Sequence, residues 1–161
     1  INNWENYVRF YEELLELARQ CPEYYFVIRT KSYLLGKVDG DLESQIQDAR
    51  NIKWDFSDEI HRSYRLLRSA RLVFGRHTSL MDEARELGIP VVVHENFCHG
   101  LPYLDSISDS YASRFDISSS VDEAVMYVKK WMEKDFSGPV EPEPRIASIL
   151  EEILGQCPAR G

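Results

Sequence analysis

Short apolar segments alternate with amphipathic helical segments along most of this chain. Four segments have the length and the aromatic or β-branched content of buried strands. They are residues 24–29, 51–54, 71–75 and 89–94. Four others carry apolar residues at helical spacing. They are residues 3–20, 57–70, 79–87 and 120–134. Because strands that are apolar throughout need cover on both faces, the pattern predicts an α/β fold with a Rossmann-like parallel sheet and helices on both faces.

Local signals refine the boundaries of these elements. Gly88 stands where a glycine commonly follows a helix, directly after the segment 79–87. Pro90 comes just before the run of valines, which is acceptable only near the start of a strand. A further helical piece is expected over 41–49. Residues 95–118 are expected to be mostly loop, with one short edge strand.

The length of 161 residues fits a single domain. We expect the Rossmann-like domain to span residues 1–134. Residues 135–161 are then a proline-rich connector and a C-terminal amphipathic helix over 145–155, which packs on the domain or reaches toward a further one. Because the first residue is Ile1 rather than Met, the chain is expected to be a piece of a longer protein.

Composition excludes some classes of protein. The net charge of −8 argues against binding to nucleic acid, which requires lysine and arginine to neutralise phosphates. The sequence contains no run of about 18 apolar residues, so no membrane span is predicted. Cys21, Cys98 and Cys157 are scattered and odd in number, which predicts reduced thiols in a cytoplasmic protein.

The loop that follows the segment 71–75 is the best candidate for a binding site. In an open parallel sheet, ligands bind beyond the carboxyl ends of the strands. Gly75 permits a sharp turn there, Arg76 and His77 add donors, and Thr78 and Ser79 begin a helix whose positive end attracts phosphate. The alternative is that Thr78 or Ser79 serves only as a helix cap.

Other polar residues allow two interpretations each. Arg29 and Lys31 follow the first predicted strand and either bind an anion or pair with surface acids. His94, Cys98 and His99 resemble part of a zinc site, but a closed site needs four ligands in paired spacings, so we expect no metal. The sequence contains neither Gly-x-Gly-x-x-Gly nor Gly-x-x-x-x-Gly-Lys-Ser/Thr, and we expect no bound cofactor.

The segment 69–91 resembles the second half of GT-B glycosyltransferases. It is similar to the CDP-glycerol glycerophosphotransferase and surface-polysaccharide group in its order of strand, Thr-Ser loop, helix with Glu-Ala, and Gly-x-Pro before the next strand. The resemblance implies that Thr78 and Ser79 bind the donor phosphates and that Glu83 binds the ribose. Read on its own, Glu83 is equally a solvated acid. The resemblance also implies a separate N-terminal acceptor domain and allows peripheral membrane association of the full-length protein.

The expected function is therefore binding of a nucleotide-activated sugar or polyol phosphate, as the donor domain of a glycosyltransferase-like protein of surface-polysaccharide synthesis. No catalytic residue is expected within this chain, since we find no acid–base pair for deprotonating an acceptor. The alternative is a non-catalytic α/β module that binds a small anion or a protein partner.

Overall fold

A computed structural model describes residues 4–29, 40–55, 59–76, 78–95 and 113–134. The helices are α1 (Trp4–Gln20), α2 (Gly40–Asp48), α3 (Ile60–Ser69), α4 (Ser79–Glu86) and α5 (Val121–Met132). The strands are β1 (Phe26–Arg29), β2 (Ile52–Asp55), β3 (Val73–Gly75), β4 (Val91–His94) and β5 (Asp116–Ser118). The helices and β1 to β4 lie within a few residues of their predicted positions, and β5 lies in the stretch 95–118 where one short edge strand is expected. The predicted connector and helix at 135–161 lie outside the described residues.

The strands pair in parallel throughout the part of the chain that is described. β1 pairs with β2, and β3, β4 and β5 form a second sheet with β4 in the centre. Along the chain, α2 connects β1 to β2, α3 connects β2 to β3, and α4 connects β3 to β4. Parallel strands require crossover connections of this kind. The expected Rossmann-like α/β class is confirmed, with the five strands divided between two small hydrogen-bonded sheets.

The first core joins both sheets to α1 and α5. The buried residues of α1 include Tyr11, Leu14, Leu15, Leu17 and Ala18, and Leu17 is fully buried. They pack with Ile28 of β1, Ile52 of β2 and Val128 of α5, and Phe74 of β3 lies against the same cluster. Burying one such aliphatic side chain contributes about 1.5–3 kcal/mol, so this cluster stabilises the packing of both sheets against α1.

A second core lies around the three-stranded sheet, between α3 and α4. It consists of side chains from α3, α4, β4 and the segment before β5. They are Leu67, Met81, Ala84, Val91, Val93 and Phe115. Because all four residues of β4 are buried, the strand carries no polar alternation.

Two capping arrangements fix the ends of helices. After α4, Gly88 has a φ of 73°, its N–H bonds to the Arg85 carbonyl, and the Ile89 N–H bonds to the Ala84 carbonyl. This is the double hydrogen bond of a Schellman motif, so the predicted helix-ending glycine is confirmed. After α1, the side-chain amide of Asn51 donates to three carbonyl groups. These belong to Ala18, Cys21 and Tyr24.

No helix within the described ranges is long and apolar enough to cross a membrane. Cys21 is a buried free thiol at the end of α1. Its burial raises the pKa of the thiol above the ordinary value, with a smaller contribution from the negative charge of Glu23. Cys98 and Cys157 lie outside the described residues.

Candidate functional site

The carboxyl ends of β3, β4 and β5 meet at one edge of the sheet. Gly75 is the register partner of Val93, and His94 is the register partner of Ser118. The residues that follow these strands therefore lie side by side, and α4 and α5 begin just beyond β3 and β5. We call this the carboxyl edge, defined by Gly75, Arg76, His94, Glu95 and Ser118.

Gly75 ends β3 in a conformation that few other residues adopt. Its φ is 157°, and a Cβ built on it would lie 3.3 Å from Met81 Cε and 3.9 Å from Phe10 Cζ. The residue is buried. Any residue with a Cβ would be strained in this conformation, so glycine is favoured where the chain leaves β3 toward the start of α4.

Helices α4 and α5 begin with the same backbone geometry and differ in their capping. Thr78 precedes α4 with φ −146° and ψ 162°, and Ser120 precedes α5 with φ −146° and ψ 163°. Ser120 Oγ accepts a hydrogen bond from the Glu123 N–H, whereas the Thr78 side chain makes no capping hydrogen bond. Of the two residues expected as a possible cap, Thr78 occupies the N-cap position of α4, and its side chain makes no capping hydrogen bond.

A carboxylate accepts two further hydrogen bonds at the start of α5. Glu123 Oε2 accepts hydrogen bonds from the Ser119 N–H at 2.7 Å and from the Ser119 hydroxyl at 2.8 Å. The first of these bonds, and then the second, holds the pKa of Glu123 below its ordinary value. The start of α5 thus contains its own anion, and the first turn of α4 carries an acidic residue of its own, Asp82.

The predicted phosphate-binding residues lie on one short stretch. Thr78 and Ser79 are exposed at the start of α4, and Arg76 is half-buried directly after β3. Arg76 makes interactions within the protein. His77 lies outside the described residues. The structure thus brings Gly75, Arg76, Thr78 and Ser79 together at the carboxyl edge.

Glu83 has a protein partner on the neighbouring helix. The Tyr64 hydroxyl of α3 donates a hydrogen bond to the Glu83 carboxylate. Burial, followed by this hydrogen bond and the Glu83 charge, raises the pKa of Tyr64 above its ordinary value. Glu83 is half-buried rather than fully solvated. A ribose would have to share this carboxylate with Tyr64.

Arg29 belongs to the other sheet and is held by α3. Its Nε donates to Ser63 Oγ at 3.1 Å, and its terminal nitrogen donates to the Glu59 carbonyl at 3.3 Å. The register partner of Arg29 is Asp55, which is buried and pairs with Arg62. These contacts make Arg29 part of the attachment of α3 to the two-stranded sheet. Lys31 lies outside the described residues.

A buried polar network that sequence reasoning missed ends at the carboxyl edge. His94 Nε2 lies 2.7 Å from Glu13 Oε2, and His94 Nδ1 lies 2.8 Å from Ser118 Oγ. Glu13 Oε1 also accepts from Arg9 Nε at 3.0 Å. His94 is 2% exposed and Ser118 is 0% exposed. One signal was available, since Glu13 shares a helix face with the fully buried Leu17 four residues later.

The network occupies both ring nitrogens of His94. A carboxylate only accepts hydrogen bonds, so in the neutral ring Nε2–H donates to Glu13 and Nδ1 accepts from the Ser118 hydroxyl. His94 therefore has no ring nitrogen directed at a ligand. The zinc alternative also named Cys98 and His99, which lie outside the described residues. Within the described ranges, no cluster of three histidine, cysteine or acidic residues could hold a metal ion.

No protein-family model, characterised protein or solved structure matches this chain. The likeness to GT-B glycosyltransferases, with its motif at residues 69–91, therefore stays a resemblance.

Proposed function

We propose that the start of α4, next to the carboxyl edge, binds the diphosphate of a nucleotide-activated sugar or polyol phosphate. The binding groups in this proposal are the backbone N–H groups at the start of α4, the Thr78 and Ser79 hydroxyls, and the Arg76 guanidinium. A helix start carries roughly half a positive charge and directs unpaired N–H groups outward, so an anion is the natural ligand there.

One observation carries this proposal. Two helices begin at the same edge with the same N-cap geometry, and of the two N-cap side chains only Ser120 of α5 makes a capping hydrogen bond. The Thr78 hydroxyl is exposed at the start of α4 and makes no capping bond. Thr78 lies three residues after Gly75, whose conformation lets the backbone turn toward the helix. These features favour an external anion at α4.

The nature of the donor and the transfer reaction rests on the resemblance of residues 69–91. In this proposal the chain is the donor-binding part of a glycosyltransferase-like protein of surface-polysaccharide synthesis, and the acceptor and catalytic base come from another domain. The free, buried thiol of Cys21 accords with a reducing compartment such as the cytoplasm.

A nucleotide titration with matched variants tests the proposal. CDP, UDP, GDP, ADP and inorganic phosphate are added to about 5 mM, and amide shifts are followed by NMR with calorimetry for affinity. We expect at least one nucleotide to shift the amides of residues 78–83. Because a hydrogen bond to a charged group contributes about 1.5–3 kcal/mol, Thr78→Ala should weaken binding about tenfold or more.

Ser120→Ala is the matched control. It removes a cap that forms in the structure, so it should lower the free energy of unfolding by about 1 kcal/mol and leave nucleotide affinity unchanged. Thr78→Ala should show the opposite pattern, with lower affinity and nearly unchanged stability. Absence of any shift at residues 78–83 with all five ligands would refute the proposal.

A second candidate is a module that binds a small anion without a nucleoside. The observation that favours it is the hydrogen bond from Tyr64, which gives the Glu83 carboxylate a partner within the protein. In this case inorganic phosphate should bind as tightly as any nucleotide, and Glu83→Gln should leave all affinities unchanged. A nucleotide preference that depends on Glu83 supports the donor-binding function instead.

A further inference from the structure

The network around His94 connects the helix α1 to the carboxyl edge through short, buried contacts. Glu13 of α1 holds one ring nitrogen of His94, and Ser118 of β5 holds the other. Ser118 also accepts a backbone hydrogen bond from the Glu95 N–H at 2.8 Å. The side chain that ends the central strand is therefore fixed by two elements that are distant from it in sequence.

The His94 ring in turn packs against the strand that leads to the proposed anion site. Its centroid lies 5.3 Å from that of Phe74 and 6.2 Å from that of Phe10. Phe74 immediately precedes Gly75, and Phe10 lies close to the position that a Cβ on Gly75 would occupy. A displacement of the ring would therefore be transmitted to the backbone that precedes α4.

We propose that His94, locked in the Nε2–H tautomer by Glu13 and Ser118, is a positioning residue for the anion site at the start of α4. The proposal rests on the function proposed above. Both ring nitrogens are used within the protein, so His94 contributes no contact to the ligand. It acts by holding Phe74, and through it Gly75, in the arrangement that starts α4.

The tautomer gives the proposal a direct spectroscopic test. Glu13→Gln keeps an oxygen that accepts from Nε2–H, whereas Glu13→Leu has a similar volume and accepts nothing. In Glu13→Leu the ring should change to the Nδ1–H tautomer, because Ser118 Oγ is then the remaining acceptor. Glu12→Leu is the matched control, since Glu12 is exposed on the same helix.

Imidazole ¹⁵N shifts are recorded at about pH 8.5, about two units above the ordinary histidine pKa. The wild type and Glu13→Gln should show protonated Nε2 and unprotonated Nδ1. Glu13→Leu should show the reverse and should shift the Gly75 amide. A wild-type ring with Nδ1–H, or with both nitrogens protonated, would overturn the proposed lock, as would a Glu13→Leu ring that stays Nε2–H.

Nucleotide affinity tests the positioning role. For mutations that act through a chain of packed side chains, affinity changes of about two- to thirtyfold are typical. We expect a loss in this range for Glu13→Leu, a change below about twofold for Glu13→Gln, and no change for Glu12→Leu. A tautomer change in Glu13→Leu with unchanged affinity would overturn the positioning role.

Two further arms keep the outcomes distinct. If the wild type binds no nucleotide, the proposed function is refuted. The Gly75 amide shift in Glu13→Leu still decides whether the His94 ring positions Gly75. If Glu13→Leu does not fold, Ser118→Ala replaces it. Ser118→Ala removes the partner of His94 Nδ1, so the ring should keep the Nε2–H tautomer while the NMR signal of the Gly75 amide shifts and nucleotide binding weakens. An unchanged chemical shift of the Gly75 amide would contradict the proposal.

Discussion

Replacing Gly75 with alanine should destabilise the fold through the backbone itself. The residue has a φ of 157°, in a region that side chains with a Cβ rarely adopt. Such a conformation costs a non-glycine residue about 1–3 kcal/mol. The new Cβ would also lie 3.3 Å from Met81 Cε, which is close, although this flexible chain end can move by the few tenths of an ångström needed.

The size of the expected change can be measured by thermal and urea unfolding. For a chain of this length, 1 kcal/mol shifts Tm by about 2–4 °C, so Gly75→Ala should lower Tm by about 2–12 °C. Gly40→Ala is the matched control. A Cβ on Gly40, the first residue of α2, meets nothing within 4 Å, so this variant should be neutral or up to about 1 kcal/mol more stable.

A double variant separates the two causes. Met81→Leu removes the Cε atom and by itself should cost less than about 1.5 kcal/mol. If backbone conformation dominates, combining it with Gly75→Ala should recover little of the lost stability. Full recovery in the double variant would show that the contact with Met81 is the cause, and an unchanged Tm in Gly75→Ala would refute the reasoning about both.

Three further predictions concern polar contacts. Asn51→Asp should lower the free energy of unfolding, measured in urea, by about 2 kcal/mol or more, because it places a carboxylate next to three carbonyl oxygens. The loss should be larger than for Asn51→Ala, and equal losses in the two variants would contradict the prediction. Glu123→Gln should be less stable than wild type at pH 7, because the ionised carboxylate of Glu123 accepts both hydrogen bonds from Ser119. This difference in the free energy of unfolding should vanish as pH falls through the lowered pKa of Glu123. A constant difference from pH 7 to 3 would refute the prediction. Glu83→Gln should lower the raised pKa of Tyr64 in an ultraviolet titration, with Tyr64→Phe identifying the signal, and the same titration midpoint in both proteins would contradict the Tyr64–Glu83 bond.

Local patterns in the sequence were enough to predict most elements of the fold. The valines of β4 predict a buried strand because a short run of β-branched residues fits a pleated, covered sheet. Gly88 predicts the end of α4 because glycine adopts positive φ without steric cost. The loop at Gly75 follows from the rule that parallel strands place their carboxyl ends at one edge. Each inference depends on residues within a few positions of each other.

The tertiary structure decided how the elements of the candidate site meet. Glu13 and His94 are 81 positions apart and form one hydrogen bond, which no spacing within the sequence encodes. Thr78 and Ser120 are both good N-cap residues, and only the folded backbone and its neighbours determine that Ser120 caps its helix through its side chain and Thr78 does not. The physical reason is that helices and strands form from interactions between near neighbours, whereas polar partners at the carboxyl edge are selected by how separate elements pack.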